Sequence, residues 1–169
     1  MDAIEAIMTR RSVRSFGDEP VSDEDAEIVL RAAMAAPSAT NEQPWHFVVV
    51  RDRAVLERLS RTTPYARPLA AAPLGLVVCA DKRAVRYPGF WVIDCAAAIE
   101  NALVAAHAIG LGGVWIGVHP VPPFRAAVRR VVGLPGRMVP HSLVALGHPQ
   151  RVPGPADRFD PDRLHPDRW

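Results

Sequence analysis

Behind Asp2, whose carboxylate suits a helix N-cap, Ile4, Ile7 and Met8 recur at helical spacing, and Arg10 closes the last turn where a cation is favoured. A polar loop from Arg11 to Val21 follows. Ser22 with Asp25 three positions on reads as a capping box opening a second helix through Ile28, Val29 and Leu30 to Ala36, and Pro37 ends it. After the turn-rich segment Pro37 to Pro44, the β-favouring run of His46 to Arg51 predicts a strand, and Val55 to Ser60 a short helix. Leu74 to Ala80 lacks polar alternation, which predicts a central strand covered on both faces. The run from Phe90 to Ile109 is apolar around most of its helical circumference, so it must pack on two sides, against the sheet and against something else, for which a second subunit is the economical candidate. Gly110 terminates it. Val114 to Val118 predicts a third strand, and Pro122 to Val132 a helix with Arg125, Arg129 and Arg130 on a solvated face. Ser142 to Gly147 predicts a fourth strand.

Five prolines between His148 and Trp169 forbid regular structure there, yet Leu164 and Trp169 are apolar anchors, which fits an extended arm laid on another surface. Helices and strands alternate with connections too unequal for a regular parallel α/β sheet. The expectation is a single α+β domain over residues 1–169, helices covering a mixed sheet, with 148–169 as a C-terminal arm.

Composition narrows the picture. With 49% hydrophobic residues, and 17 prolines and 11 glycines among 169 residues, the chain falls below the roughly 25–30% Pro and Gly share of a disordered polymer. Net charge is +2 and Lys82 is the sole lysine, so the positive field is too weak to announce a nucleic-acid binder, while arginine forks suit oxyanions and planar rings. Cys79 and Cys95 are too few and too far apart for a disulfide scaffold or zinc ribbon, and the six histidines lack metal-ligand spacing, so no metal is expected. Asp94, Glu100, Asn101 and His107 interrupt the longest apolar run, favouring a buried helix over a membrane span. Met1 to Met8 has no export-signal pattern, and a reducing cytoplasm is the expected location.

Three segments stand out chemically. Arg10, Arg11, Ser12 and Arg14 form a dense donor set for a phosphate or planar anion, or a solvated basic loop. Pro37 to Trp45 holds small and amide side chains that could present backbone amides to a flat polar ligand, or simply make a helix-to-strand turn. The glycines of Gly110 to Gly117 let backbone approach a ligand, although no dinucleotide fingerprint or P-loop is present. With no obvious nucleophile, metal or acid–base pair, any reactive group would arrive with a cofactor.

In this order the three segments resemble the FMN-dependent nitroreductase family, in its short members. The residues that carry the likeness are Arg10-Arg11-Ser12-Val13-Arg14-Ser15-Phe16, then Ala36-Pro37-Ser38 with Asn41, Gln43-Pro44-Trp45 and Phe47, then Gly110-Leu111-Gly112 with Trp115-Ile116-Gly117, and Gly147-His148-Pro149. The resemblance implies a mixed, largely antiparallel sheet flanked by helices, and an interlocked homodimer with two FMN sites built from both chains. It implies that Arg10 and Ser12 hold the phosphate and ribityl chain with Arg11 beside them, and that Arg14 sits near the flavin N1 and O2 edge. Pro37, Ser38, Ala39 and Asn41 would approach from the partner, and Trp115, Ile116 and Gly117 would run past the pyrimidine ring and N5. Arg158 would match a second phosphate-binding cation. Only Arg67 between Tyr65 and Leu69 could stand for a further flavin contact. The implied activity uses NADH or NADPH to reduce a small-molecule electron acceptor of nitroaromatic or quinone type. Its rivals are a flavin-consuming or dehalogenating enzyme of the same fold and a non-catalytic nucleotide- or polyanion-binding module.

Overall fold

Four strands, β1 (Trp45–Val50), β2 (Leu74–Asp81), β3 (Gly112–Gly117) and β4 (Met138–Gly147), form one sheet in the order β1-β2-β4-β3. The computed structural model describes all 169 residues. Every neighbouring pair of strands is antiparallel, and the one parallel pairing is an isolated bridge from Ser12 to Gly113. The mixed character expected from the sequence is therefore confined to the margin of β3.

Five helices cover the sheet: α1 (Ala3–Thr9), α2 (Asp23–Met34), α3 (Arg53–Leu59), α4 (Phe90–Ala108) and α5 (Pro122–Val132). Strand period dictates the layering. Leu74, Leu76, Val78 and Ala80 of β2 join Val144 and Leu146 of β4 in a core closed by α2 and α4. Val77, Leu143 and Ala145 point the other way, into a core closed by α3, α5 and the short 3-10 turn Arg67–Ala70. Each large side chain so buried contributes about 1.5–3 kcal/mol. All eight residues of β2 are buried, as its unbroken apolar run requires. Gly75 is set by space, since a Cβ there would stand 2.7 Å from Leu56 Cδ2.

The Ser22 hydroxyl accepts from the Asp25 amide at 3.0 Å and donates to its carboxylate at 2.8 Å, opening α2 at the expected capping box. Strand β4 starts at Met138, four residues before the expected Ser142. Pro140 reads as a breaker, but it sits at a bulge: Val78 pairs with Ser142 and Cys79 with Pro140, leaving His141 as the extra residue. The solvated face assigned to α5 needs correction. Arg129 is half-buried and donates to the carbonyls of Leu134, Pro135 and Met138, and the Arg125 Nε is buried; only Arg130 is exposed.

Helix α4 is long and apolar enough to cross a membrane, yet Cys95, Ala98, Ile99, Ala102, Leu103 and Ala106 are buried in the protein core. Burial pushes the Cys79 thiol up to about 11 and Cys95 up to about 12, so both remain protonated. The apolar face of α1 points outward: Ile4, Ile7 and Met8 are 71%, 58% and 68% exposed, and Ile93 of α4 is 63% exposed. From Arg151 the tail is irregular except for a 3-10 turn, Pro161–Arg163, which the sequence reading did not foresee, and the expected anchors Leu164 and Trp169, like Phe159, are exposed in the single chain. Arg11 fastens it by donating to the carbonyls of Gly154 and Ala156, both at 3.2 Å.

Candidate cofactor groove

The end of β3 forms the floor of a groove of about 590 Å³, lined by Arg14, Tyr65, Arg67, Trp115, Ile116 and Gly117 among others. The bridge of Ser12 to Gly113 brings the segment after α1 alongside β3, which places Arg14 at this groove. Its guanidinium makes one long bond, 3.4 Å to the Ser12 carbonyl, and Arg67 has no side-chain partner, so two unneutralised cations face one space. At Gly117 a Cβ would meet nothing within 4 Å, so the backbone there is open to an approaching ligand.

Trp115 is held from behind. Its indole N–H donates to the Ser142 hydroxyl at 2.6 Å, and that hydroxyl lies 3.0 Å from His141 Nδ1. With the indole on one of its two acceptor lone pairs, the hydroxyl can either donate to His141 Nδ1 or accept from it, according to the imidazole tautomer. Burial, with His119 nearby, pushes the His141 pKa down to about 4, against the pull of a hydrogen bond to the Val92 backbone. The two imidazoles are stacked, 7° between planes, with centroids 6.3 Å apart.

A second groove of about 880 Å³ lies between α1 and the tail and collects Arg10, Arg11 and Arg158. Arg10 is not a free anion hook here: its Nε and one terminal nitrogen reach Glu100 at 2.9 and 3.4 Å. Arg11 gives its donors to carbonyls of the tail and of Met8 and Arg10.

Pro37, Ser38, Ala39 and Asn41 line neither groove. They form a tight loop in which Thr40, Asn41 and Gln43 have φ of 50°, 58° and 47°, held by Ser38 Oγ accepting from the Gln43 amide at 3.0 Å and by Asp94. The buried Asp94 Oδ1 accepts from the Ala39 amide at 2.9 Å. One chain thus brings Arg14, Trp115, Ile116 and Gly117 together, gathers Arg10, Arg11 and Arg158 in a neighbouring groove, and keeps the 37–41 loop apart, with Ser12 bridging beside β3. Sequence reasoning gave no site role to Tyr65 or the Ser142–His141 support, and took Glu100 and Asp94 only as interruptions of an apolar helix. The last two carried a readable signal, because a carboxylate inside an apolar helix needs a partner.

The layered α+β fold thus carries, at the end of an edge strand, a groove in which two cations stand without carboxylate partners. The model of the Nitroreductase family matches residues 7–66 and 60–148. A protein of Methanothermobacter thermautotrophicus, provisionally named NADH dehydrogenase/NAD(P)H nitroreductase, is 46% identical over 169 residues, covering 100% of this chain and 88% of its own. A crystal structure from Parabacteroides distasonis, with the same provisional name, superimposes with a TM-score of 0.94 at 35% identity, over 99% of this chain and 98% of that one. A Desulfovibrio desulfuricans protein provisionally described as a nitroreductase and solved in complex with FMN gives 0.86 at 30% identity, over 100% and 98%. The chain belongs to the nitroreductase family.

Proposed function

We propose that two copies of this chain hold FMN between them and use it to pass reducing equivalents from NADH or NADPH to a small electrophilic acceptor of nitroaromatic or quinone type. The observation that carries the reading is the groove where Arg14 and Arg67, free of carboxylates, face Trp115, Ile116 and the open backbone at Gly117. The names of the Methanothermobacter and Desulfovibrio relatives, one with NAD(P)H and one with FMN, support it.

The residues fit the group. A phosphorylated ring needs cations at its tail and along its rim. Arg11 opens on one groove and Arg14 on the other, three residues apart, a span of at most about 11 Å for extended chain and well within one FMN. Arg10, Arg11 and Arg158 would meet the phosphate, with Arg10 sharing its charge between phosphate and Glu100, and Ser12 would meet the ribityl chain. Arg14 would hold the electron-rich edge and favour the charge that reduction places there. Trp115, Ile116 and Gly117 would offer backbone to the ring, and the indole hydrogen bond to Ser142 keeps that strand end in register. When bound, FMN supplies the centre that accepts and donates hydride, so no side chain need act as acid or base. Pro37, Ser38, Ala39 and Asn41 would complete the partner's groove, in keeping with a loop that lines none of its own. The exposed apolar faces of α1 and α4 support the dimer.

The test is spectroscopic. The purified protein should carry flavin absorbance that bleaches on NADH or NADPH under argon and returns on adding a quinone. Colourless protein that takes up no added FMN would overturn the reading.

A further inference from the structure

A cavity of about 310 Å³ opens beside the ends of β2 and β4, away from both grooves, and shares no lining residue with either. Its walls are Trp91 at the start of α4 with Val85, Pro88 and Val139, and its charged groups are Lys82 and Arg125. No carboxylate neutralises them. The nearest acid in sequence, Asp81, is taken by Arg83 at 2.9 Å and Arg137 at 3.2 Å, a pairing that holds its carboxyl well below the usual range. Arg125 Nε is buried without any hydrogen-bond partner. No nitrogen of the Arg125 side chain is hydrogen-bonded to the protein, so its charge is left unmet for an acceptor in the cavity. Helix α4 begins beside the cavity with no side-chain cap on its first amides, which adds positive potential of the same sign.

We infer that this cavity is a second ligand site, for a small aromatic monocarboxylate. The carboxylate would pair with Arg125, whose fork matches two oxygens, and with Lys82, while the ring lies against the Trp91 indole and the apolar wall. The volume is at the lower end for ligand pockets and ample for a single ring, and inorganic phosphate would leave the apolar wall unused. Trp91 also stands edge-on to His119, ring centroids 4.7 Å apart, so its emission should report occupancy.

Sodium benzoate, titrated calorimetrically into the purified protein, should bind with one site per chain and cause a change in tryptophan emission that Trp91→Phe abolishes. Benzamide, the same ring without the charge, should bind at least ~10-fold more weakly. Arg125→Met should weaken benzoate at least ~10-fold while flavin content stays unchanged, since Arg125 touches neither groove. Lys82 is exposed, so Lys82→Met should fold normally and weaken benzoate by several-fold; should Arg125→Met fail to fold, this variant decides alone. The inference is overturned if wild-type protein shows no saturable binding up to about 10 mM. It is equally overturned if benzamide binds as well as benzoate, or if the folded variants bind benzoate like wild type, which would put the ring in the Trp115 groove.

Discussion

Among the guanidiniums of the first fourteen residues, Arg14 is the least committed: Arg10 faces Glu100, Arg11 grips the tail, and Arg14 has one long contact to its own chain. Replacing it should therefore remove ligand affinity with little loss of fold. Arg14→Met is expected to weaken FMN at least ~10-fold, read by fluorescence titration, with the urea midpoint nearly unchanged. His141 gives a prediction of the other kind. Its pKa is about 4 in the fold against 6.5 for the free side chain, so as pH falls the unfolded chain takes up the proton first. Its contribution to stability is intact above about 6.5 and drains away between there and 4, by up to about 3 kcal/mol. Urea titrations across that window should give a shallower acid-side slope for His141→Gln than for wild type.

At the scale of elements, α4 organises the molecule through the four polar residues that interrupt it. Asp94 holds the Ala39 amide, Asn101 donates to the Ala32 carbonyl at 3.1 Å, Glu100 pairs with Arg10, and His107 Nε2 lies 2.8 Å from the Thr9 hydroxyl. Asp94 and Asn101 are seven residues apart, as are Glu100 and His107, so each pair repeats after two turns and ties one side of the helix to a different neighbour. Asp94→Ala should cost about 1–3 kcal/mol in urea unfolding by orphaning the Ala39 amide, and should increase amide exchange in the 37–43 loop. Element type was legible in the sequence because period and turn chemistry act locally: the Ser22 cap, the unbroken run of β2 and the proline start of α5 each sit where their residues dictate. What sequence could not display was long-range partnership. Arg129 looks solvated until the 134–138 turn folds back to offer it carbonyls, and Pro140 looks like a breaker until a bulge on β4 absorbs it. The site was readable in the same measure: Arg14 and Trp115 to Gly117 meet as the motif order suggests, while the counter-charge on Arg10 came from ninety residues away.

For the whole molecule, Ile4, Ile7 and Met8 of α1 and Phe90 and Ile93 of α4, each more than half exposed, leave apolar surface in want of cover. A second copy of the chain would account for it and would bring a 37–41 loop to each groove. Ile4→Glu, on a residue 71% exposed, outside both grooves and so harmless to the monomer's own core, should shift the light-scattering mass toward one chain and lower flavin content in parallel. A monomer that keeps its full flavin would separate the groove from the assembly.

The hold of Arg11 on the tail has an evolutionary side. The guanidinium grasps carbonyl oxygens of Gly154 and Ala156, which every amino acid possesses, and ignores the side chains. Point changes along that stretch should be nearly silent for its attachment, whereas inserting or deleting a single residue before position 154 would move both acceptors out of step. Descendants of this chain are thus free to vary the spelling of residues 151–156 but not their number.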